Sequence, residues 1–398
     1  MLTTVGSDTW RRIENEGAAV RVALVDFFSR PYSIESAYQE AMGGAQASVC
    51  FLAEALARQG HQVFLINHVN ELKIERGVTC IPLGESDNHS LAGLRLHTMI
   101  LSQNAGFAAA RLPMRTFLPP TTRLVFWAHD AWDSLTVQAL RQGSERAAYD
   151  GFAFLSDWHL TTVRDHFQLP SDRCQVIGYG LAPQARGLFA EDESIVSAKS
   201  ASPTLAYISA PDRGLGLLLD ALPRIREAIP GTQLSVYSGM GVYLPGSEGD
   251  NKPYEDLFKR CLTQEGVVFP GPQPKERLLQ ALKATTLLAY PNTFPETFCL
   301  AIAESLAAGC EVVSTALGAL PQTTLGLATL VPSDFDATRF RRRFEDAVIA
   351  RLQALQSTTA EAREEQLQRQ VQTIRSAMDW DGQAQAWVQW LTRLDSPA

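Results

Sequence analysis

Residues 21–28 read RVALVDFF and residues 61–67 read HQVFLIN, with a helical pattern between them. Both stretches are short, apolar and rich in β-forming residues, which is typical of buried strands. The helical pattern opens at Gly43 and Gly44, runs to residue 59 and is followed by Gly60, which suits the position just past a helix end. A strand, a crossover helix and a second strand form a βαβ unit, which predicts a parallel sheet.

The alternation of strand and helix continues along the chain. Further strands are predicted at residues 78–83, 97–101, 123–128, 150–155, 174–177, 204–209, 233–238, 286–290 and 311–315. Helices are predicted at residues 156–168 (capped by Ser156), 216–228 and 298–308, with a surface loop at 241–254 and a helical tail from residue 338. Small, polar and acidic residues at 181–203 predict a linker.

Two doubly wound α/β domains follow from this pattern, and the length of 398 residues also favours two domains. We predict a first domain at residues 1–185, a second domain at residues 186–378 and a final helix at residues 379–398. In such folds ligands bind at the carboxyl ends of the strands, in the cleft between the domains.

Composition excludes several classes of protein. The net charge of −8 argues against a nucleic-acid partner, which normally requires a basic face. The first residues lack the apolar run of a signal peptide, and no stretch approaches the ~20 apolar residues of a membrane span. We expect a cytoplasmic protein, and leave open a peripheral contact at the inner face of the membrane. The six cysteines are scattered, without a CxxC, as expected of buried thiols in a reducing compartment.

The strongest chemical signal is residues 291–309, PNTFPETFCLAIAESLAAG. Glu296 lies at a turn that leads from a strand into a helix, and Glu304 lies about two helical turns further on. Free amides at a helix start, those of Thr297 to Cys299, bind phosphate oxygens together with the helix dipole. Carboxylates beside an anion site indicate hydroxyl groups as their partners, because an ionised carboxylate only accepts hydrogen bonds.

This arrangement resembles the E-x7-E motif of the retaining GT-B glycosyltransferases of family 4, the glycosyl transferases group 1. The resemblance implies two Rossmann-like domains that face each other across a cleft, with the C-terminal helix packing back on the N-terminal domain. It also implies that the N-terminal domain (residues 1–185) binds the acceptor and that the C-terminal domain (residues 186–378) binds the nucleotide sugar. It implies that Glu296 meets the hydroxyls of the transferred sugar and that Glu304 meets the nucleotide ribose. The pyrophosphate would be held by the amides of residues Phe298, Cys299 and Leu300.

Arg213 extends the resemblance. It follows the strand that ends near Ser209, itself a predicted donor-binding residue, and precedes Gly214, like the basic-glycine step of the family. The resemblance implies that Arg213 neutralises the leaving diphosphate. A second cation, often found in this stretch of the family, is missing, so the second phosphate contact has no assigned residue. Lys275 and Arg277 are predicted to be surface charges.

Five more positions match the family. Gly239, after a strand, resembles a glycine turn beside the donor, and Phe269 belongs to a segment that resembles the one beside the nucleobase. Gly43 and Gly44 resemble the N-terminal glycine turn near the acceptor and the diphosphate. His129, just past the strand at 123–128, matches a histidine that contacts the donor sugar. His129, Glu296 and Arg213 are therefore the predicted catalytic residues.

The predicted reaction is transfer of a hexose-type sugar from a UDP- or GDP-sugar to an acceptor hydroxyl, with retention of the anomeric configuration. The acceptor would be a carbohydrate, a glycolipid or a protein-linked glycan. A DxD metal motif in a fitting context is absent from the sequence, so we expect no metal and no further cofactor. Two alternatives stay open: a sugar-nucleotide epimerase with the same fold and a non-catalytic relative. A nicotinamide dehydrogenase is disfavoured because GxGxxG is missing after the first strand.

Two surface questions also stay open. Trp380, Trp387 and Trp390 share a helix face, which predicts packing against the body of the protein, with membrane docking as the alternative. Residues 111–123 are basic and apolar, which fits a surface loop or contact with a lipid-linked acceptor.

Overall fold

The computed structural model describes residues 19–28, 30–83, 93–109, 111, 113–242 and 252–394. The chain divides into two compact units. Unit 1 comprises Met1–Ala37, Gly44–Gly180 and Asp379–Ala398, and unit 2 comprises Tyr38–Gly43 and Leu181–Met378. Both units are α/β, as predicted.

Unit 1 is built on a single sheet. Its strands are β1 Arg21–Asp26, β2 Gln62–Asn67, β3 Lys73–Glu75, β4 Val78–Pro82, β5 Thr98–Ser102, β6 Arg123–Trp127, β7 Gly151–Phe154 and β8 Cys174–Val176. The first helices of the chain are α1 Ser36–Gln39, which has residues in both units, α2 Gly44–Arg58, α3 Met114–Phe117, α4 Gly143–Ala148 and α5 Asp157–Phe167.

The strand order in unit 1 is β3-β4-β2-β1-β5-β6-β7-β8. Only the edge pair β3–β4 is antiparallel among the described strands. The central strand β1 pairs on both sides, with Leu24 opposite Leu65 in β2 and Ile100 in β5. These side chains are fully buried, because a parallel sheet is covered on both faces. This burial explains why the strands of unit 1 read as continuous apolar runs.

Unit 2 contains a second sheet, which is parallel throughout its described strands. Its strands are β9 Thr204–Tyr207, β10 Gln233–Val236, β11 Val267–Val268, β12 Leu287–Tyr290, β13 Glu311–Thr315 and β14 Thr329–Val331, in the order β11-β10-β9-β12-β13-β14. Its helices are α6 Leu215–Ala228, α7 Glu255–Thr263, α8 Lys275–Ala284, α9 Leu300–Ala307, α10 Leu320–Thr323, α11 Ala337–Ser357 and α12 Ala360–Ala377.

The last helix, α13 (Trp380–Arg393), returns to unit 1. Trp380, Trp387 and Trp390 are buried, which confirms the predicted packing face. The ring of Trp387 lies 5.3 Å from that of Trp127, edge to face. A Cβ on Gly180 would lie 2.6 Å from the Trp380 ring, so only glycine leaves room for that indole.

Several predicted details are confirmed. The Ser156 hydroxyl accepts a hydrogen bond from the amide of His159 at 3.1 Å and caps α5. Gly60 has φ +87°, as a residue just past a helix end requires. Five of the six cysteines are buried, and all six are free thiols. No helix in the described ranges is both long and apolar enough to cross a membrane.

Other details differ from the predictions. The chain passes from unit 1 to unit 2 at Gly180 and Leu181, where the predicted linker at 181–203 begins, but part of that stretch packs inside unit 2, with Ile195 on Leu367 and Val371 of α12. The short elements α1, β3 and β14 were not predicted, because three or four residues carry too little periodicity to be recognised. Most of the predicted loop at 241–254 lies outside the described residues.

Candidate active site

Two loops of unit 2 meet at the carboxyl edge of its sheet. Strands β9 and β12 are paired neighbours, with Leu205 opposite Leu287, so the loops after these strands leave the sheet side by side. Gly214 ends the first loop, directly before α6, and has φ +109°. A Cβ at this position would collide with the carbonyl oxygen of Pro291 in the second loop. Glycine therefore allows the two loops to touch.

Arg213 lies at this junction, in the turn between β9 and α6. Its Nη1 is 3.4 Å from Oε1 of Glu296, and its guanidinium lies over the ring of Phe294 at 3.3 Å from the centroid. Asp212 is a second acidic neighbour, 3.4 Å from Nε. The structure thus brings together two of the predicted catalytic residues, Arg213 and Glu296, which are 83 positions apart in sequence.

Glu296 is held through one of its two carboxylate oxygens. Oε1 accepts a hydrogen bond from the Tyr290 hydroxyl at 2.7 Å, in addition to the contact with Arg213. Among the described residues no group donates to Oε2 within hydrogen-bonding distance. The Glu296 side chain as a whole is 17% exposed, so the protein does not fully enclose it.

Burial raises the pKa of Glu296 above the usual value of a glutamate, and the nearby Arg213 charge and the Tyr290 hydrogen bond oppose that rise. These two donors favour the ionised carboxylate, the form that can accept hydrogen bonds from sugar hydroxyls.

Tyr290 was not among the predicted site residues. It is fully buried at the end of β12, and its hydroxyl also lies 3.1 Å from Oγ of the predicted residue Ser209. A tyrosine as the last residue of an apolar strand, directly before the motif, is a signal that could have indicated it. A buried hydroxyl requires a partner, and the motif that begins at the next residue supplies one in Glu296.

A third loop supports the backbone of Glu296. The amide of Ala319 donates to the Glu296 carbonyl at 2.8 Å. Gly318, with φ +60°, approaches so closely that a Cβ would lie 2.5 Å from that carbonyl oxygen. The loop after β13 therefore helps to set the position of Glu296.

Helix α9 begins two residues later than predicted, at Leu300. Cys299 has φ +89°, a left-handed conformation that cannot continue into an α-helix. Thr297, Phe298 and Cys299 are all buried, and Leu300 is half-buried. A strained residue of this kind requires support from its surroundings, which here includes the hydrogen bond from Thr323 to the Phe298 carbonyl. Binding of pyrophosphate by the amides at this helix start remains a prediction.

Glu304 faces a cation that was predicted to be a surface charge. Lys275, at the start of α8, has its Nζ 2.8 Å from both carboxylate oxygens. The side chains are 14% and 3% exposed respectively, so the prediction for Lys275 was wrong, whereas Arg277 is exposed as expected. The pairing joins α8 to α9 across 29 positions of sequence, which no local pattern indicates.

The other predicted residues of unit 2 lie on the neighbouring loops. Ser238 donates its hydroxyl to the Ser209 carbonyl at 2.6 Å, which ties the loop after β10 to the loop after β9. Gly239 abuts Pro272, since a Cβ would lie 2.7 Å from that ring. Phe269 is half-buried and stacks on Phe258 with a centroid distance of 5.3 Å.

His129 belongs to unit 1, where both of its ring nitrogens have protein partners. Nε2 lies 2.9 Å from the Ser102 hydroxyl, and Nδ1 is hydrogen-bonded to the Tyr179 hydroxyl. Burial, aided by the charge of His159, lowers the pKa of His129 to about 3. The ring is therefore neutral at physiological pH and unsuited to act as a general base. Gly44 begins α2 in unit 1, and Gly43 groups with unit 2.

The described residues contain no group of three or more His, Cys, Asp or Glu that could hold a metal ion. Independence from metal remains a prediction.

Comparison with known proteins shows that part of the sequence matches one protein family and that the fold resembles several solved structures. Residues 196–363 match the family described as Glycosyl transferases group 1. The D-inositol 3-phosphate glycosyltransferase of Mycobacteroides abscessus is 33% identical over 118 residues. That stretch is 29% of this chain and only 25% of the relative.

Solved structures resemble the chain over nearly its whole length. The sucrose-phosphate synthase of Thermosynechococcus elongatus has a TM-score of 0.68 at 18% identity and covers 94% of this chain and 99% of its own. A glycosyltransferase from Rickettsia africae reaches 0.67 at 11% identity, covering 96% and 100%. The Anabaena protein HepE, in complex with UDP and glucose, reaches 0.67 at 14% identity, covering 94% and 100%. Residues 196–363 thus match the glycosyl transferases group 1 family, in a chain whose two α/β units have the GT-B-type fold.

Proposed function

We propose that this protein is a glycosyltransferase that moves a hexose-type sugar from a UDP- or GDP-sugar to an acceptor hydroxyl. The acceptor is a carbohydrate, a glycolipid or a protein-linked glycan, and the reaction serves the synthesis of glycans, polysaccharides or glycolipids. The observation that carries the proposal is the cluster of Arg213, Glu296 and Tyr290 at the carboxyl edge of the unit 2 sheet. It lies inside the segment that matches the group 1 family.

Different residues of unit 2 contact different parts of the sugar-nucleotide donor. Arg213 binds the diphosphate and stabilises the charge that develops on it as it leaves. The free oxygen of Glu296 accepts hydrogen bonds from the hydroxyls of the transferred sugar, and Glu304 does the same for the ribose. The amides before and at the start of α9 complete the diphosphate site without a metal ion.

The reaction proceeds with retention of configuration at the anomeric carbon. The bond from that carbon to the diphosphate oxygen breaks, and a bond to the acceptor oxygen forms on the same face of the sugar. The acceptor proton passes to the leaving diphosphate, so no side chain is needed as the base. The lowered pKa of His129 is compatible with this scheme, because it removes that histidine as a proton acceptor at neutral pH.

Thermal stabilisation by nucleotides tests the donor site first. A ligand that binds only the folded protein raises its melting temperature. We expect a shift with UDP or GDP, but not with CMP, that persists in EDTA. A shift that EDTA abolishes contradicts metal independence, and the absence of any shift with UDP, GDP, ADP or dTDP contradicts the donor site itself.

Substitution of Arg213 tests the assignment of the site. Arg213→Ala should weaken binding of the stabilising nucleotide by about 1.5–3 kcal/mol, as expected for a hydrogen bond to a charged group. Arg224→Ala is the matched control, because Arg224 lies in the same unit but pairs with Glu345 and Asp346 on α11. Equal affinity of both variants would show that Arg213 does not contact the nucleotide.

Turnover separates the proposed reaction from its alternatives. The full chain is incubated with UDP- and GDP-sugars, with and without a panel of sugar acceptors, and the products are examined by NMR. A new glycosidic bond of unchanged anomeric configuration is expected. Conversion of the donor sugar without any acceptor indicates an epimerase, and nucleotide binding without turnover indicates a non-catalytic relative.

A further inference from the structure

The pair Lys275–Glu304 has a geometry that the proposed role of Glu304 alone does not explain. Nζ of Lys275 lies 2.8 Å from each oxygen of the carboxylate, and both side chains are largely buried. A buried ion pair of this kind costs desolvation energy on both sides and is weak evidence of a purely stabilising role.

The position of Lys275 in its helix also argues against a purely stabilising role for the pair. It is the first residue of α8, directly after Pro274. The positive end of the helix dipole is at the N-terminus, so a cation there is unfavourable for the helix. The lysine is therefore explained by its partner Glu304 and not by the stability of α8.

The hydrogen-bonding capacity of the pair is only partly used. An ammonium group has three N–H donors, and in the described part of the chain Lys275 directs its contacts only to Glu304. The carboxylate still has lone pairs to accept further bonds. A donor and an acceptor thus lie side by side, within about one hydrogen-bond length of each other.

A vicinal diol matches such a pair, because each hydroxyl both donates and accepts a hydrogen bond. We propose that Lys275 and Glu304 together form a ribose clamp, in which Glu304 accepts from one hydroxyl of the nucleotide ribose and Lys275 donates to the other. The clamp selects ribonucleoside diphosphates against their deoxy forms. This inference rests on the proposed function, which supplies the nucleotide, and adds Lys275 as a residue that determines specificity.

The experiment compares dissociation constants of the full chain for UDP or GDP, whichever stabilises it, and for the 2′-deoxy and 3′-deoxy forms of that nucleotide. Wild type should bind the ribonucleotide about tenfold or more tightly than either deoxy form, the ratio expected when a hydrogen bond to a charged group is lost. Lys275→Met should bring at least one of the two ratios to within about twofold.

Lys283→Met is the matched control. Lys283 lies in the same helix, is similarly buried and pairs with Glu193 at 2.6 Å. Both ratios should keep their wild-type values in this variant. If Lys275→Met fails to fold because Glu304 is left unpaired, Lys275→Arg retains the charge. Its planar donors have a different reach, so a change of at least about threefold in one ratio is expected.

Each outcome decides the inference. Equal affinity of the wild type for the ribo and deoxy forms overturns the ribose clamp and leaves the proposed function standing. An equal loss of affinity for all three nucleotides in Lys275→Met assigns the lysine to the phosphates and overturns the clamp as well. If no nucleotide binds the wild type, the proposed function fails and the clamp fails with it.

Discussion

Glu296 is partly buried and Glu304 is buried, and each carboxylate is held by a cation from another segment of unit 2. Their surroundings differ in one respect. Glu296 has one oxygen engaged and one without a described donor, whereas both oxygens of Glu304 contact Lys275. An open oxygen suits a residue that must adapt to the changing hydroxyls of a reacting sugar, and a paired carboxylate suits fixed recognition.

Tyr290 should matter for catalysis although it is buried behind Glu296. Tyr290→Phe removes one of the two donors to Oε1 and allows the carboxylate to turn. Because a hydrogen bond to a charged group contributes about 1.5–3 kcal/mol, kcat/KM for the sugar nucleotide should fall by about tenfold or more.

Tyr207→Phe is the control for this prediction. Tyr207 is also buried, its ring lies 5.9 Å from that of Tyr290, and its hydroxyl donates to the Ala210 carbonyl. Tyr207→Phe should lower the free energy of unfolding of unit 2 and leave kcat/KM for the sugar nucleotide nearly unchanged. If both variants lose activity equally, Tyr290 supports the fold and does not position Glu296.

His129 and His159 should make the stability of unit 1 depend on pH. Burial lowers their pKa values to about 3 and about 4, from an ordinary value of 6.5 that applies in the unfolded chain. As the pH falls from 6.5 towards 4, these two histidines become protonated in the unfolded chain but stay neutral in the folded protein. The free energy of unfolding should therefore decrease by about 1.4 kcal/mol per pH unit for each histidine, and be fully retained above pH ~7.

Urea unfolding at pH 7.5, 6 and 5, followed by tryptophan fluorescence, measures this dependence. His129→Gln should reduce the slope by the contribution of one histidine. A wild-type slope in His129→Gln would contradict the assignment.

At the scale of elements, the site depends on where loops and helices begin. The strand–turn–helix order around residues 291–309 follows from the chain pattern, but the start of α9 at Leu300 follows from the left-handed Cys299. Likewise, α6 starts after Gly214 because the chain there must pass against the Pro291 carbonyl. Contacts between loops, and not local propensity, decide these boundaries.

Gly214→Ala should separate the two loops of the candidate active site. The substitution combines an unfavourable φ with a collision against backbone, so unit 2 should lose more than about 3 kcal/mol, and nucleotide affinity should fall as Arg213 moves. Calorimetry and nucleotide titration measure the two effects.

Gly326→Ala is the control, because Gly326 has φ +76° but a Cβ there would have no described neighbour within 4 Å. It should lose only about 1–2 kcal/mol and bind nucleotide normally. Equal losses of stability in the two variants would show that the close approach of Gly214 to Pro291 does not contribute to the stability of unit 2.

At the scale of the whole molecule, the two units are distinguishable by spectroscopy. Every tryptophan that the structure describes lies in unit 1, and residues 38–43 and 181–378 contain none in the sequence. Tryptophan fluorescence therefore reports on unit 1, and calorimetry reports on both units. Nucleotide binding at the proposed site should shift mainly the calorimetric transition that fluorescence does not detect.

The C-terminal helix should be essential for unit 1. Trp387→Ala leaves a cavity beside Trp127 and Trp390, and should lower the stability of unit 1 by about 3–5 kcal/mol. Trp132→Ala is the control, because Trp132 is 38% exposed and its ring lies against that of His166 at a tilt, with 4.5 Å between the centroids. Its loss should be much smaller, as measured by urea unfolding. Equal losses would contradict the packing role of α13.

Much of the fold can be predicted from the chain pattern alone. The buried strands of both sheets appear as apolar runs because parallel strands bury both faces, and Gly60 and Ser156 mark helix ends through local backbone chemistry. Glu296 can also be singled out, because it lies at a turn between a strand and a helix, whereas Arg213 is predicted through its resemblance to the family's basic-glycine step.

The tertiary structure decides the partners of these residues. Lys275 is predicted to be a surface charge, but in the structure it pairs with Glu304, which joins α8 to α9. Tyr290 is predicted only as part of a strand, but in the structure its hydroxyl donates to Glu296. His129 is predicted from its place just past a strand and from the resemblance, and only the folded chain shows that Ser102 and Tyr179 contact both of its ring nitrogens. Periodicity and turn chemistry depend on neighbours along the chain, whereas charge pairing, burial and pKa depend on residues that only strand order and packing bring within a few ångströms.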